Sequence, residues 1–134
     1  MRVAKLCLSL FLIIGISGCA ALPPLLGIKE AAINQVFTIE SSPPDADVYI
    51  NDKLVGRTPC KVPVVLNIDT ATYWPKEQYL IRVSKEGYRD EVKPIEFKQR
   101  ANIFDRGYDE YFGAEIAPGT KVWYFYNFTL QKKE

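Results

Sequence analysis

The chain has 134 residues, of which 48% are hydrophobic and 25% are charged, and its formal net charge is +1. This composition is typical of one globular domain, and a charge so close to zero argues against a nucleic-acid-binding surface. The sequence contains no histidine, which excludes Ser-His-Asp and Cys-His catalysis and histidine-ligated metals. Cys7, Cys19 and Cys60 lack the paired spacing of a metal site, so we expect neither a metal nor another cofactor.

The N-terminus has the pattern of an export signal. Arg2 and Lys5 precede an apolar run over residues 6–16, which then ends in Ile16-Ser17-Gly18-Cys19. A membrane-spanning helix needs about 20 apolar residues, so this run is too short to span and suits the hydrophobic region of a signal peptide. An ordinary cleaved signal, in which Cys19 is incidental, remains an alternative on these residues alone.

The four residues ending at Cys19 resemble the lipobox of bacterial lipoproteins. The resemblance implies that residues 1–18 are a cleaved signal peptide and that the thiol of Cys19 receives a membrane-anchoring lipid. Ala20 resembles the residue that directs such proteins to the outer membrane, facing the periplasm. We therefore expect a lipid-anchored protein of the cell envelope.

Residues 19–34 contain Pro23, Pro24 and Gly27, which predict a tether, with one possible helical turn over residues 28–33. From residue 35 onward the alternation of apolar and polar residues is that of strands. The predicted strands cover residues 36–40, 47–50, 53–56, 60–66, 78–85, 88–97 and 122–130. About seven short strands with frequent turns predict an all-β domain, a small β-sandwich, over residues 35–134.

Individual residues within these strands carry further predictions. Asn51 and Asp52 tolerate positive φ and predict a tight hairpin, while Pro63 cannot donate to a ladder and predicts a sheet edge or a bulge. Cys60 has no partner for a disulfide and is expected to be a small buried hydrophobe. In the last strand one face is predicted to be core, and it consists of Val122, Tyr124, Tyr126, Phe128 and Leu130.

Three short motifs resemble the PEGA domain, in the right order and over about residues 36–97. They are Ser42-Pro43-Pro44-Asp45-Ala46, Gly56-Arg57-Thr58-Pro59 and Lys85-Glu86-Gly87-Tyr88. The chain departs from the family where Pro44 and Asp45 replace Glu-Gly, and where residues 67–77 lengthen a usually short link. The resemblance implies an add-on β domain of surface and periplasmic proteins, without catalytic residues.

The matched residues also have structural causes, so we predict that they serve the fold. Pro43 and Pro44 restrict φ at a strand entry, Ala46 allows close packing, and Thr58-Pro59 forms a turn. Gly56 and Gly87 are expected to adopt positive φ, and Tyr88 completes the last motif.

Two classes of function remain. The first is a non-enzymatic protein that binds an envelope protein or a cell-wall glycan through a contact surface of Tyr108, Tyr111, Phe112, Trp123 and Phe125. These rings could instead be core. The second is a carboxylate-based, glycan-active enzyme using Asp105, Asp109, Glu110 and Glu115 beside Phe104. Because so small a domain seldom has a deep cleft, we predict a protein that is not an enzyme.

Overall fold

The computed structural model describes residues 30–106 and 112–134. Strands dominate this part of the chain, as the alternating sequence predicted, and the all-β fold class is confirmed. The strands are β1 Glu30–Ser42, β2 Asp47–Ile50, β3 Lys53–Arg57, β4 Cys60–Asp69, β5 Leu80–Ser84, β6 Glu91–Pro94, β7 Phe97–Gln99, β8 Ala114–Ala117, β9 Thr120–Val122 and β10 Phe125–Thr129.

The described strands form three sheets. The first has the order β10-β1-β4, with β1 parallel to β10 and antiparallel to β4. The second has the order β3-β2-β5-β6 and the third the order β7-β9-β8, both antiparallel. Side chains from all three sheets meet in one buried cluster, which makes the domain the small β-sandwich that the sequence predicted.

The core positions follow from the alternation of side chains along a strand, in which every second residue points to the same face. Val62, Val64, Leu66 and Ile68 on β4 are buried, and each residue between them is exposed. Tyr79, Ile81 and Val83 repeat the pattern around β5. Pro63 lies on β4, which is an edge strand of the first sheet. On the side of β4 that has no neighbouring strand, the missing N–H of Pro63 removes no hydrogen bond between strands.

The first strand begins earlier than predicted. β1 pairs with β4 without interruption from Glu30 opposite Asp69 to Ile39 opposite Cys60. Residues 30–34 therefore lie in a strand, and the prediction that a tether with a helical turn reaches residue 34 is wrong there. The reason is non-local, because β4 supplies backbone partners that the sequence of this segment does not reveal.

The predicted strand over residues 122–130 is broken in two. The N–H of Trp123 donates to the Glu96 carbonyl at 2.9 Å, and the Tyr124 carbonyl accepts the N–H of Thr38 at 2.8 Å. The chain thus passes from the third sheet to the first between β9 and β10. Val122, Tyr126, Phe128 and Leu130 are buried as predicted, but Tyr124 is 44% exposed and is not core.

A second predicted strand, over residues 88–97, also divides. β6 ends at Pro94, which lacks the donor needed to continue the ladder. Ile95 is buried and its N–H donates to the Tyr79 carbonyl at 2.8 Å, before β7 begins at Phe97.

The predicted turn residues are partly confirmed. Asn51 and Asp52 have φ of 46° and 64°, and Gly87 has φ of 80°. Gly56 does not have positive φ, so that prediction is wrong. The hairpin is already closed at Asn51 and Asp52, and Gly56 lies in β3 opposite Val48, next to a shift of register in the pairing of β2 with β3.

Candidate binding surface

The PEGA-like motif residues are joined to one another by hydrogen bonds. Thr58 is 1% exposed, and its Oγ1 accepts the N–H of Ala46 at 3.0 Å and lies 2.5 Å from the Ser41 hydroxyl. The N–H of Thr58 in turn donates to the Ala46 carbonyl at 2.9 Å. Ala46 is fully buried and belongs to the hydrophobic core.

The motif that begins at Lys85 is hydrogen-bonded to the motif that contains Pro44 and Asp45. The Nζ of Lys85 donates to the Pro44 carbonyl at 2.7 Å and lies 3.3 Å from the Asp45 carbonyl. Gly87 supplies the turn that follows, and Tyr88 is half-buried against the core. These contacts lie within the fold, and a structural role for Pro43, Pro44, Ala46, Thr58, Pro59, Gly87 and Tyr88 stays a prediction.

The structure describes three of the five rings of the predicted contact surface, Phe112, Trp123 and Phe125. Tyr108 and Tyr111 lie outside the described residues. The rings of Phe112 and Trp123 have centroids 6.1 Å apart, and a ring that the prediction assigned to the core, Tyr124, lies 6.3 Å from Trp123. Phe125 follows at the start of β10 and is 38% exposed. We name Phe112, Trp123, Tyr124 and Phe125 the aromatic surface.

Backbone contacts hold the aromatic surface in place. Trp123 is half-buried against the core, so it supports the neighbouring rings and is not fully available to a partner. The backbone of Gly113 lies directly under Tyr124. A Cβ added at Gly113 would be 2.7 Å from Tyr124 Cδ1 and 2.3 Å from the Val122 carbonyl oxygen, so only glycine fits.

The acidic residues of the enzyme alternative are not gathered into a described cluster. Glu115 Oε1 accepts the N–H of Gly119 at 3.1 Å, so this carboxylate stabilises its own β8–β9 turn. The N–H of Asp105 donates to the Asn102 carbonyl at 3.2 Å, and Asp109 and Glu110 lie outside the described residues. Within residues 30–106 and 112–134, no group of three His, Cys, Asp or Glu side chains could hold a metal ion.

Cys60 is half-buried and packs against the core, and its thiol is free. Burial raises the pKa of this thiol, which favours the protonated, less nucleophilic form. No helix in the described part of the chain is long and apolar enough to cross a bilayer.

Sequence reasoning missed a groove of about 360 Å³ formed by residues 74–78 together with Ile95 and Phe97. We name it the Trp74 groove. Its walls come from the β4–β5 connection and from the segment joining β6 to β7. The available signal was a tryptophan inside a connection that is longer than the family pattern.

The comparisons with known proteins agree with the motifs. The family model for the PEGA domain matches residues 35–104, which is more than half of the chain. No curated protein and no solved structure matches the sequence. The match includes every motif residue discussed above and both walls of the Trp74 groove, and the chain belongs to the PEGA domain family.

Proposed function

We propose that this protein is a non-catalytic binding protein of the bacterial cell envelope. A lipid on Cys19 holds it at a membrane. The residue after it, Ala20, favours the periplasmic side of the outer membrane. Its PEGA domain then uses the aromatic surface to bind a partner in the envelope, a protein or a cell-wall polymer. Cys19 lies outside the described residues, so the anchor rests on the lipobox resemblance.

The exposure of Tyr124 and Phe125 carries the binding part of this proposal. Both rings lie at the transition from the third sheet to the first, where backbone hydrogen bonds to Glu96 and Thr38 fix the chain. A segment whose backbone is already fixed loses less conformational entropy on binding, and aromatic residues dominate the binding energy of many interfaces. The aromatic surface is therefore a suitable anchor for a partner.

The proposal that the protein is not catalytic rests on which acidic and basic side chains are available. The whole sequence lacks histidine, and the carboxylate of Glu115 is engaged in a turn. A general acid or base has to be placed within reach of a substrate, and neither observation favours such an arrangement.

Photocrosslinking in growing cells tests the proposal. A photoreactive phenylalanine analogue is placed at Phe125 in the full-length chain, and crosslinked adducts are identified after irradiation. The matched control carries the analogue at Leu54, an exposed apolar residue on β3. We expect a discrete adduct from position 125 that is lost when Tyr124→Ala is added.

Two results would contradict the proposal. One is an equal yield of the same adducts from positions 125 and 54. The other is an adduct from position 125 that is insensitive to Tyr124→Ala, because a partner seated on the aromatic surface has to contact that ring.

A further inference from the structure

We propose that the Trp74 groove is a second binding site, which takes a pyranose unit of a neutral glycan. This site is separate from the aromatic surface and can bind its ligand whether or not that surface has a partner.

The β4–β5 connection that carries Trp74 is held by its own hydrogen bonds. Asp69 Oδ1 accepts the N–H groups of Ala71 and Thr72 at 2.8 and 3.0 Å, and these two bonds lower the pKa of Asp69. The N–H of Tyr73 donates to the Asp69 carbonyl at 2.7 Å, and the Trp74 carbonyl accepts the N–H of Asp69 at 2.9 Å. The connection is thus a compact turn.

The third sheet fastens the same connection from the other side. Gln99 Nε2 donates to the Thr72 carbonyl at 2.6 Å, and the buried hydroxyl of Thr120 donates to the Tyr73 carbonyl. Ile68 and Pro75 form an isolated bridge where the chain returns towards β5. The position of Trp74 is therefore set before any ligand arrives, which reduces the entropy lost on binding.

Two aromatic rings, Trp74 and Phe97, line the groove. Trp74 is 41% exposed, although it lies 6.3 Å from Phe97 between ring centroids. Phe97 is supported from behind by Tyr79, whose ring centroid is 6.4 Å away. Phe97 thus acts as a fixed wall, and the indole of Trp74 offers the flat apolar surface on which the C–H face of a pyranose ring packs.

Polar side chains also line the groove. Glu77 Oε1 accepts hydrogen bonds from the Tyr79 hydroxyl at 2.9 Å and from Asn67 Nδ2 at 3.0 Å. Among the described residues, neither Glu77 Oε2 nor the Gln78 side-chain amide has a hydrogen-bond partner. A carboxylate accepts from hydroxyl groups, and an amide both donates and accepts, so the pair suits adjacent hydroxyls of a sugar.

The charges around the groove favour a neutral ligand. The lining contains one cation and one anion, Lys76 and Glu77, and Lys76 is paired with Glu30. A phosphate or a second carboxylate would meet no unpaired cation here, whereas a hydroxyl group of a neutral sugar can donate to Glu77 Oε2. The volume of about 360 Å³ falls within the range of about 300–1,000 Å³ that is usual for small-ligand sites.

Nuclear magnetic resonance titration of the full chain in detergent micelles tests this inference. The probes are chitotriose and cellotriose, two neutral β-1,4-linked oligosaccharides. The sequence contains two tryptophans, Trp74 and Trp123, so the second indole N–H signal is an internal reference on the aromatic surface. We expect saturable shifts of the Trp74 indole and Gln78 amide signals with at least one probe, while Trp123 is unchanged.

Three variants separate the groove from its surroundings. Trp74→Ala and Gln78→Ala are each expected to weaken binding at least about tenfold, a difference of about 1.4 kcal/mol. Tyr73→Asn is the matched control, because Tyr73 is a neighbouring exposed ring outside the groove and asparagine tolerates its φ of 57°. We expect this variant to bind as the unchanged protein does.

The inference is overturned if neither oligosaccharide gives a saturable shift at Trp74, or if Gln78→Ala binds as tightly as the unchanged protein. Gln78 is exposed, so this variant is informative even if Trp74→Ala fails to fold. A saturable shift confined to Trp123 also overturns it, and would leave the proposal for the aromatic surface standing.

Discussion

The hydroxyl of Thr58 accepts the buried backbone N–H of Ala46 at 3.0 Å, which joins the residue after β3 to the residue before β2. Thr58→Val keeps the shape of the side chain but leaves this N–H without a partner. We expect the free energy of unfolding, measured by urea denaturation, to fall by about 1–3 kcal/mol. Thr58→Ser retains the hydroxyl and is the control, and a valine variant as stable as the serine variant would show that this bond contributes nothing.

Gly87 and Gly56 are both motif glycines, but only one has a conformation that requires glycine. Gly87 has φ of 80°, and a Cβ there would meet nothing within 4 Å, so Gly87→Ala costs backbone strain alone. We expect a loss of about 1–2 kcal/mol, with a smaller loss for Gly87→Asn. Gly56→Ala would place its Cβ 3.6 Å from Cys60 Sγ, an ordinary contact.

Because Gly56 lies within β3 without positive φ, alanine there should be neutral or stabilising by up to about 1 kcal/mol. Thermal melting of the two alanine variants checks the contrast. Equal destabilisation at both positions would contradict the assignment of the glycine requirement to φ.

Gly113 supports the aromatic surface through its missing side chain. In Gly113→Ala the new Cβ would lie 2.3 Å from the Val122 carbonyl oxygen, a backbone atom that cannot move alone. We expect a loss of about 1–3 kcal/mol, together with a change in the environment of the Tyr124 ring. Thermal melting and the aromatic resonances of Tyr124 measure the two effects, and an unshifted ring would contradict the contact.

Ionisation of Tyr126 is expected to lower the stability of the fold at alkaline pH. Burial raises the pKa of Tyr126 to about 12, and its hydroxyl accepts the N–H of Glu96 at 2.8 Å. In the unfolded chain a tyrosine ionises near pH 10. The stability that the neutral phenol contributes is therefore complete below about pH 10 and is lost as the pH rises towards about 12.

Urea denaturation at several pH values between about 8 and 12 measures this loss. Tyr126→Phe cannot ionise, so its free energy of unfolding should fall less steeply above pH ~10, although it also lacks the bond to Glu96 at every pH. Burial also raises the pKa of Tyr79, so a smaller slope should remain. An unchanged slope in Tyr126→Phe would contradict the assignment.

Mass spectrometry of the intact protein tests the lipidation of Cys19. Protein extracted from membranes is expected to begin at Cys19 and to carry a diacylglycerol and a further acyl chain. Cys19→Ala should leave the membrane fraction or accumulate as the uncleaved chain, because at least two acyl chains are needed for stable anchoring. Cys7→Ala is the control, since that cysteine lies within the predicted signal peptide. An unmodified thiol at Cys19 would rule out the anchor.

Local alternation in the sequence was enough to predict the central strands. Ile81 and Val83 are buried because side chains two residues apart point to the same face of any strand, whatever its neighbours are. The hairpin at Asn51 and Asp52 was predictable for a similar reason, since tolerance of positive φ is a property of the residue itself.

Contacts between distant segments decided what the sequence did not show. β1 starts at Glu30 because β4 continues to Asp69, and the last predicted strand breaks because Glu96 and Thr38 bind the backbone at Trp123 and Tyr124. The same break turns Tyr124 outward and thereby creates part of the aromatic surface.

The Trp74 groove shows most clearly how local sequence and contacts between distant segments determine different features. The sequence determines that a tryptophan lies in the β4–β5 connection, but not that Gln99 and Thr120 hold that connection against the third sheet. Alternation and turn preference are properties of a few adjacent residues, and they can be read in one dimension. Hydrogen bonds between segments far apart in the chain depend on the three-dimensional path between them, so only the tertiary structure brings Trp74 over Phe97.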